Sequence, residues 1–184
     1  MKQLYFLLFI LLPFAKTKAQ RTQNDNYLPW SSTRKLTAND FLIKTGRSHT
    51  TISYGQFSMD FEVHGFDFMT KNFNKKVSSF FIKSASSLDT TSDINVALRY
   101  QQTLFDLFEI YTRQFRKALK ENRKKILTGT DFVKTLNEQA MADFAHRRLA
   151  YDTDTNFGSN TIMQRHWEAQ IQKELALLKD FSNE

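Results

Sequence analysis

At 184 residues the chain has the length of one domain able to bury a real core, and its zero cysteines exclude disulfides and thiolate metal sites. The formal charge of +7 includes Lys2, Lys16 and Lys18; without them 23 basic side chains face 19 acidic ones, a balance of +4 that argues against a nucleic-acid-binding protein. Eighteen phenylalanines point to an aromatic-rich core.

Residues 1–19 read as a signal peptide. Met1 and Lys2 make a short basic start, residues 4–15 are an apolar run, and Thr17, Lys18 and Ala19 precede Gln20. The run is too short to span a bilayer comfortably, which leaves a retained anchor as the alternative. No cysteine follows it, so a lipid-modified cysteine is excluded. The expectation is an exported protein, periplasmic or extracellular. Its mature part is residues 20–184, with no transmembrane segment after signal removal.

Residues 20–26 are a polar lead-in. Residues 30–41 mix turn formers with the anchors Trp30, Leu36 and Phe41. Between residues 50 and 82 the period becomes two: Ile52, Tyr54, Met59, Phe61 and Val63 alternate with polar neighbours, and Phe66 and Phe68 continue the pattern. Residues 77–82 predict another strand, with Phe80, Phe81 and Ile82 apolar on both faces. Residues 84–92 predict a loop that caps a helix through Ser92 or Asp93. Ile94, Ala97, Leu98, Leu104, Phe105, Phe108, Tyr111, Phe115 and Leu119 then recur at three and four residues, a helix from 93 to about 125. Gly129 breaks it, and Thr130 or Asp131 caps a second helix to about Ala150. Residues 151–160 predict an irregular polar loop, and residues 161–180 a last amphipathic helix. Strands followed by helices give an α+β domain, with antiparallel strands first and three helices after.

The first helix carries the most informative stretch. Leu98, Gln102, Phe105, Asp106, Leu107 and Glu109 fit L-x-H-E-Q-x-H-F-D-I-x-E, the helix segment of a bacterial family of predicted secreted zinc-dependent proteases, which this chain resembles. Trp30, Ser31, Arg34, Leu36, Thr37, Asp40 and Phe41 match that family's W-S-x-x-R-x-L-T-x-x-D-F. Tyr151, Asp152, Thr155 and Asn156, with Gln164 and Trp167 beyond, resemble its Y-D-x-E-T-N-H segment. The resemblance implies a small zincin-like domain over residues 20–184.

The residues that would do the chemistry differ. A zinc protease needs two imidazoles one helical turn apart, a carboxylate beside the first to take a proton from metal-bound water, and a third ligand from elsewhere. At the matching positions stand Tyr100, Gln101, Leu104 and Phe157. The implied protein is therefore a pseudoenzyme without cofactor or metal, its former site filled by bulky groups. Asp106 and Glu109 remain from the motif; beside a metal they would steady its ligands, and here they are expected to make structural hydrogen bonds or ion pairs.

His49, His64, His146 and His166 are scattered, and a relocated metal site at His146, Asp152 and His166 is an open alternative. Arg113, Arg116, Lys117, Lys120 and Lys124 predict a basic stripe on the first helix. It serves either as a solvated face or as a contact for anionic envelope material. Three functions follow as expectations: a non-catalytic binder of an extended peptide or envelope protein, a hydrolase with a rearranged site, or a structural envelope component. No G-x-S-x-G elbow supports the second.

Overall fold

The computed structural model describes residues 25–46 and 52–184. The expected signal peptide and His49 lie outside the described residues. The strand-then-helix order holds: among the described residues six short strands precede three α-helices in an α+β arrangement.

Strand β5 (Val77–Ile82) organises the first sheet, with β1 (Tyr27–Pro29) and β4 (Phe57–Phe61) antiparallel on its two sides. Val77, Ser79 and Phe81 face inward, fully buried, while Ser78, Phe80 and Ile82 are only half covered. Phe57 pairs with Phe81 across the ladder, their rings 5.8 Å apart. Such aromatic cross-strand pairs hold short sheets together.

The second sheet runs β2 (Ile43–Thr45), β6 (Ser87–Asp89), β3 (Ser53–Tyr54). It corrects the expectation of wholly antiparallel strands, because β2 and β6 are parallel, with Ile43 opposite Ser87. A parallel pair needs a long crossover, and β3, β4 and β5 all lie inside this one. The alternation at Ile52 and Tyr54 is also shifted by one. Ser53 is buried and Tyr54 is exposed, so the polar residue faces the core. The period of two does not continue through Phe66 and Phe68 either. Gly65–Met69 is a 3-10 turn whose Asp67 carboxylate accepts the His64 N–H at 2.7 Å, and that local bond overrides the alternation.

Helix α1 (Ile94–Glu121) starts where expected, with the Asp93 carboxylate accepting the N–H groups of Asn95 and Val96. It is buried nearly all round over two-thirds of its length. Strands β3 to β6 pack on it, as do α2 (Asp131–Thr155) and α3 (Thr161–Leu177). Leu104, Leu107, Ile110 and Leu119 have no exposed surface. Each such side chain contributes about 1.5–3 kcal/mol of burial, so α1 is the axis of the core. Thr103 and Thr112, also buried, hide their hydroxyls by donating to carbonyls one turn back. Beyond α1 a 3-10 segment, Arg123–Thr128, leads to Gly129, whose φ of 126° only glycine adopts without strain.

Helix α2 runs five residues beyond Ala150 and takes in half of the segment expected to be a loop. Thr153 and Thr155 permit this by donating their hydroxyls to the carbonyls of Leu149 and Tyr151, which keeps turn-forming residues helical. Three successive left-handed residues then reverse the chain: Asn156, Phe157 and Gly158, at φ 45°, 52° and 88°. Asn and Gly accept this conformation readily. For Phe157 it costs on the order of 1–3 kcal/mol, held by the surrounding structure.

Candidate functional site

Tyr100, Gln101 and Leu104 lie in the N-terminal half of α1, all buried. Tyr100 faces the helices. Its ring stacks on that of Tyr151, with centroids 5.2 Å apart and planes 11° from parallel, and its phenol donates to Asp152 on α2. The ring of Phe157 meets it edge-on at 6.3 Å, so the turn after α2 sits over this part of the helix. Gln101 faces the sheet, donating its amide N–H groups to the carbonyl and hydroxyl oxygens of Ser53 at 3.2 and 3.0 Å. Its carbonyl oxygen Oε1 is buried and takes no hydrogen bond among the described residues. An orphaned acceptor of this kind costs about 1–3 kcal/mol.

Two glycines bring the walls this close. A Cβ on Gly55 would lie 2.3 Å from Gln101 Oε1 and about 3 Å from the rings of Phe57 and Phe81. A Cβ on Gly158 would lie 2.8 Å from the Tyr100 Cβ. The strand side and the turn side therefore touch α1 through bare backbone.

Burial pushes the Tyr100 phenol far up, with Asp152 beside it adding to the effect, so the group is neutral at any physiological pH. The Tyr151 hydroxyl is pushed up by burial in the same way; it reaches Gln164 Oε1 at 2.8 Å and the Tyr100 carbonyl at 3.1 Å. Burial raises the Asp152 carboxyl above the usual range, against the opposing pull of Tyr100 and Arg148. Gln164 passes the network on, donating to Thr103 and to Glu168, each at 2.9 Å. Glu168 is held by Arg99 through two bonds of 2.6 Å.

These side chains do not fit zinc. Tyr100 keeps its proton, Gln101 is a neutral amide committed to Ser53, Leu104 has no donor atom, and Phe157 is a hydrocarbon. The Asp152 carboxyl lies against them, bonded to Tyr100. The alternative set does not gather either: among the described residues no three His, Asp or Glu side chains are placed to share an ion. His146 lies on an open groove with Tyr111, Gln114, Asp143 and Arg147, and His166 is exposed on α3.

The other motif residues bond to one another. Trp30 donates its indole N–H to Asp106 at 2.8 Å, and Gln102 and Gln172 donate to the same carboxylate at 2.8 and 3.0 Å. Burial raises the Asp106 carboxyl despite these donors. The Leu36 N–H donates to Gln102, Arg34 to Asp40, and Trp167 to Asp154. Thus the segment 30–41 is tied to α1, and the last turn of α2 to α3, largely by residues the sequence had singled out.

Glu109 is fully buried and accepts from Arg113 Nε at 3.0 Å, from an Arg116 terminal nitrogen at 2.8 Å and from the Ser79 hydroxyl at 2.5 Å. This corrects the basic stripe. Arg113 and Arg116 point inward, where Arg113 also donates to the Leu175 carbonyl, and Arg116 to those of Val77 and Phe181. They have no free face for an anionic partner. Lys117, Lys120 and Lys124 are exposed.

Reading the sequence gave no part in the site to Ser53, Tyr54, Gly55 or Arg148. Arg148 lies over the Tyr54 ring at 5.5 Å, with its Nε 3.6 Å from Asp152. It joins edge strand β3 to the Tyr100 pocket. The spacing of Arg148 and Asp152, one turn apart, was the available signal. No family model matches the chain, and no curated protein and no solved structure matches it.

Proposed function

We propose that this chain is a non-catalytic, exported binding protein on a secreted zinc-protease-like scaffold, and that it holds an extended peptide or protein segment along β3. The observation that carries the reading is the meeting of Tyr100 and Phe157. They come from two separate motif segments, and the resemblance assigns both positions to one site. Around them stands a stacked aromatic cluster whose carboxyl group, Asp152, is taken up by the Tyr100 phenol and Arg148.

The retained residues support the same reading. Trp30, Gln102, Asp106, Tyr151, Gln164 and Trp167 are engaged in hydrogen bonds that link segments of the fold, so they persist as struts whether or not chemistry occurs. Beside the former site, β3 ends its sheet, and the Tyr54 ring and Arg148 lie along it. Sheet edges take up extended peptides through main-chain bonds, with side-chain pockets setting the preference.

The test begins with metal. The purified chain is exposed to zinc, stripped of loosely held ions and assayed for zinc and for peptidase activity. We expect well under one zinc per chain and no cleavage. A tightly held stoichiometric zinc, or peptide hydrolysis that His146→Ala or His166→Ala removes, overturns the reading. Binding is then probed with an array of immobilised extended peptides, where Tyr54→Asp is expected to abolish capture.

A further inference from the structure

From a different part of the surface we infer that the far end of α1 is a docking face for an anionic lipid bilayer. The turn Gly65–Met69 packs against the 3-10 segment Arg123–Thr128. Their inner side chains are accounted for: Phe68 packs on a second core cluster that includes Phe73, Phe115, Leu119 and a fully buried Ile126. The outer ones are not. Phe66 is 85% exposed, Met69 72% and Leu127 61%, three large apolar groups on two segments in contact with each other.

The surrounding charge is predominantly basic. Arg123, Lys124 and Lys125 belong to the same segment as Leu127, Lys120 is on the last turn of α1, and Lys71 follows the Met69 turn. None of these five makes an ion pair among the described residues, though Lys120 lies over the Phe181 ring at 5.4 Å. Lys120, Arg123, Lys124, Lys125 and Phe181, with Glu121 and Asn122, line an open groove of about 570 Å³. Of the nearby carboxylates, Asp67 holds Lys76 at 2.8 Å and Glu121 faces Lys117 at 3.9 Å, while Asp180 shares a smaller groove with Lys71 and Lys120.

A solvated charged face has no use for three protruding apolar side chains, and an apolar protein interface excludes a cluster of unpaired lysines. A lipid surface accommodates both. Apolar side chains enter the acyl boundary while Lys and Arg meet the phosphates, and each cation near an anionic leaflet adds to the affinity. The face is too small to anchor the protein permanently, so the binding is peripheral and reversible. It does not depend on the function proposed for the Tyr100 pocket.

The experiment is flotation of the full chain with phosphatidylcholine vesicles, with and without a fraction of phosphatidylglycerol. Wild type and variants share the same residues 1–24, so any contribution of the apolar N-terminal run is common to all. We expect phosphatidylglycerol to raise partitioning about tenfold or more, and Lys124→Glu/Lys125→Glu to remove that gain. Phe66→Ser/Met69→Ser/Leu127→Ser is expected to lower it by a similar factor. All these side chains are exposed, and an unchanged melting temperature confirms that each variant folds. As a direct reading of insertion, Phe66→Trp should shift its emission to shorter wavelength on the anionic vesicles. Equal partitioning to both vesicle types overturns the inference. So does charge-dependent binding without a Phe66→Trp shift, which would mark a contact for a soluble polyanion.

Discussion

The two halves of α1 are equally buried and solve burial in opposite ways. At Tyr100, Gln101 and Leu104 the helix's own side chains are neutral, a ring stacked on Tyr151, an amide and an aliphatic chain, with Asp152 and Arg148 only at the margin. Two turns later Glu109, Arg113 and Arg116 put three charges into the same core, each satisfied by the others or by carbonyl oxygens. A neutral cluster tolerates loss of a member as a cavity. A charged one fails when a partner goes, because the remaining charge has no water to turn to. One helix thus carries a region free to change its chemistry and a region that is not.

The largest break in this comparison is expected at Glu109. Glu109→Gln keeps the shape and leaves two buried guanidiniums without a counter-charge, at a cost of about 3–5 kcal/mol in urea unfolding. Leu104→Ala, its neutral counterpart, should cost about 3 kcal/mol through transfer and cavity terms. If the neutral change proves the more damaging, the contrast between the halves is wrong.

Tyr100→Phe sharpens the neutral side, at about 1 kcal/mol for the lost bond to Asp152. It also has a pH signature. The Asp152 carboxyl is raised by burial, so the native state holds its proton more tightly than the unfolded chain. The stability from this group is full below the ordinary aspartate value and falls as pH rises through the raised one. Without the tyrosine donor the raised value moves higher still. Carboxyl-carbon NMR titration of wild type and Tyr100→Phe should show the upward displacement. Glu168 and Glu174 act in the opposite sense. Burial raises Glu168, but Arg99 and Gln164 hold it below the usual range, and Arg147 holds Glu174 there; their contribution is lost as pH falls through those lowered values.

The smallest effect is expected at Lys117, on the same helix but exposed, facing Glu121 at 3.9 Å. Lys117→Ala should change stability by less than about 0.5 kcal/mol. A larger loss would mean that charge on α1 matters regardless of depth.

How much of this the sequence carried depends on the range of the forces involved. The order of strands and helices, the start of α1 at Asp93 and its apolar periodicity are local, and they were legible. So were the motif residues that bond across the fold, Trp30, Asp106, Tyr151 and Gln164 among them. Arg113 and Arg116 were misread as a solvated stripe because charge spacing alone reports a helix face, not its depth. Their burial depends on Glu109, four and seven residues back, and on carbonyls delivered by β5 and the segment after α3. The helical extension to Thr155 was hidden by residues that favour turns, since only their back-bonded hydroxyls make them helical. Ser53 and Tyr54 were placed on the wrong faces because two residues of strand carry too little alternation to fix a register. Gly55 was passed over because its role is set by Gln101, a contact formed only on folding.

The interleaving of the two sheets along the chain has a temporal consequence. Tyr27 waits for Ile82, and Ile43 waits for Ser87, so the early strands find their neighbours only once β5 and then β6 have been made. Helix α1, which both sheets need as a floor, comes later still. A chain with this wiring closes long loops before it gains much from them, so it folds slowly and as a whole rather than from its first residues onward. Its early strands spend that interval with unpaired edges, the condition in which short apolar strands aggregate, and a holding chaperone should raise the yield of folded protein.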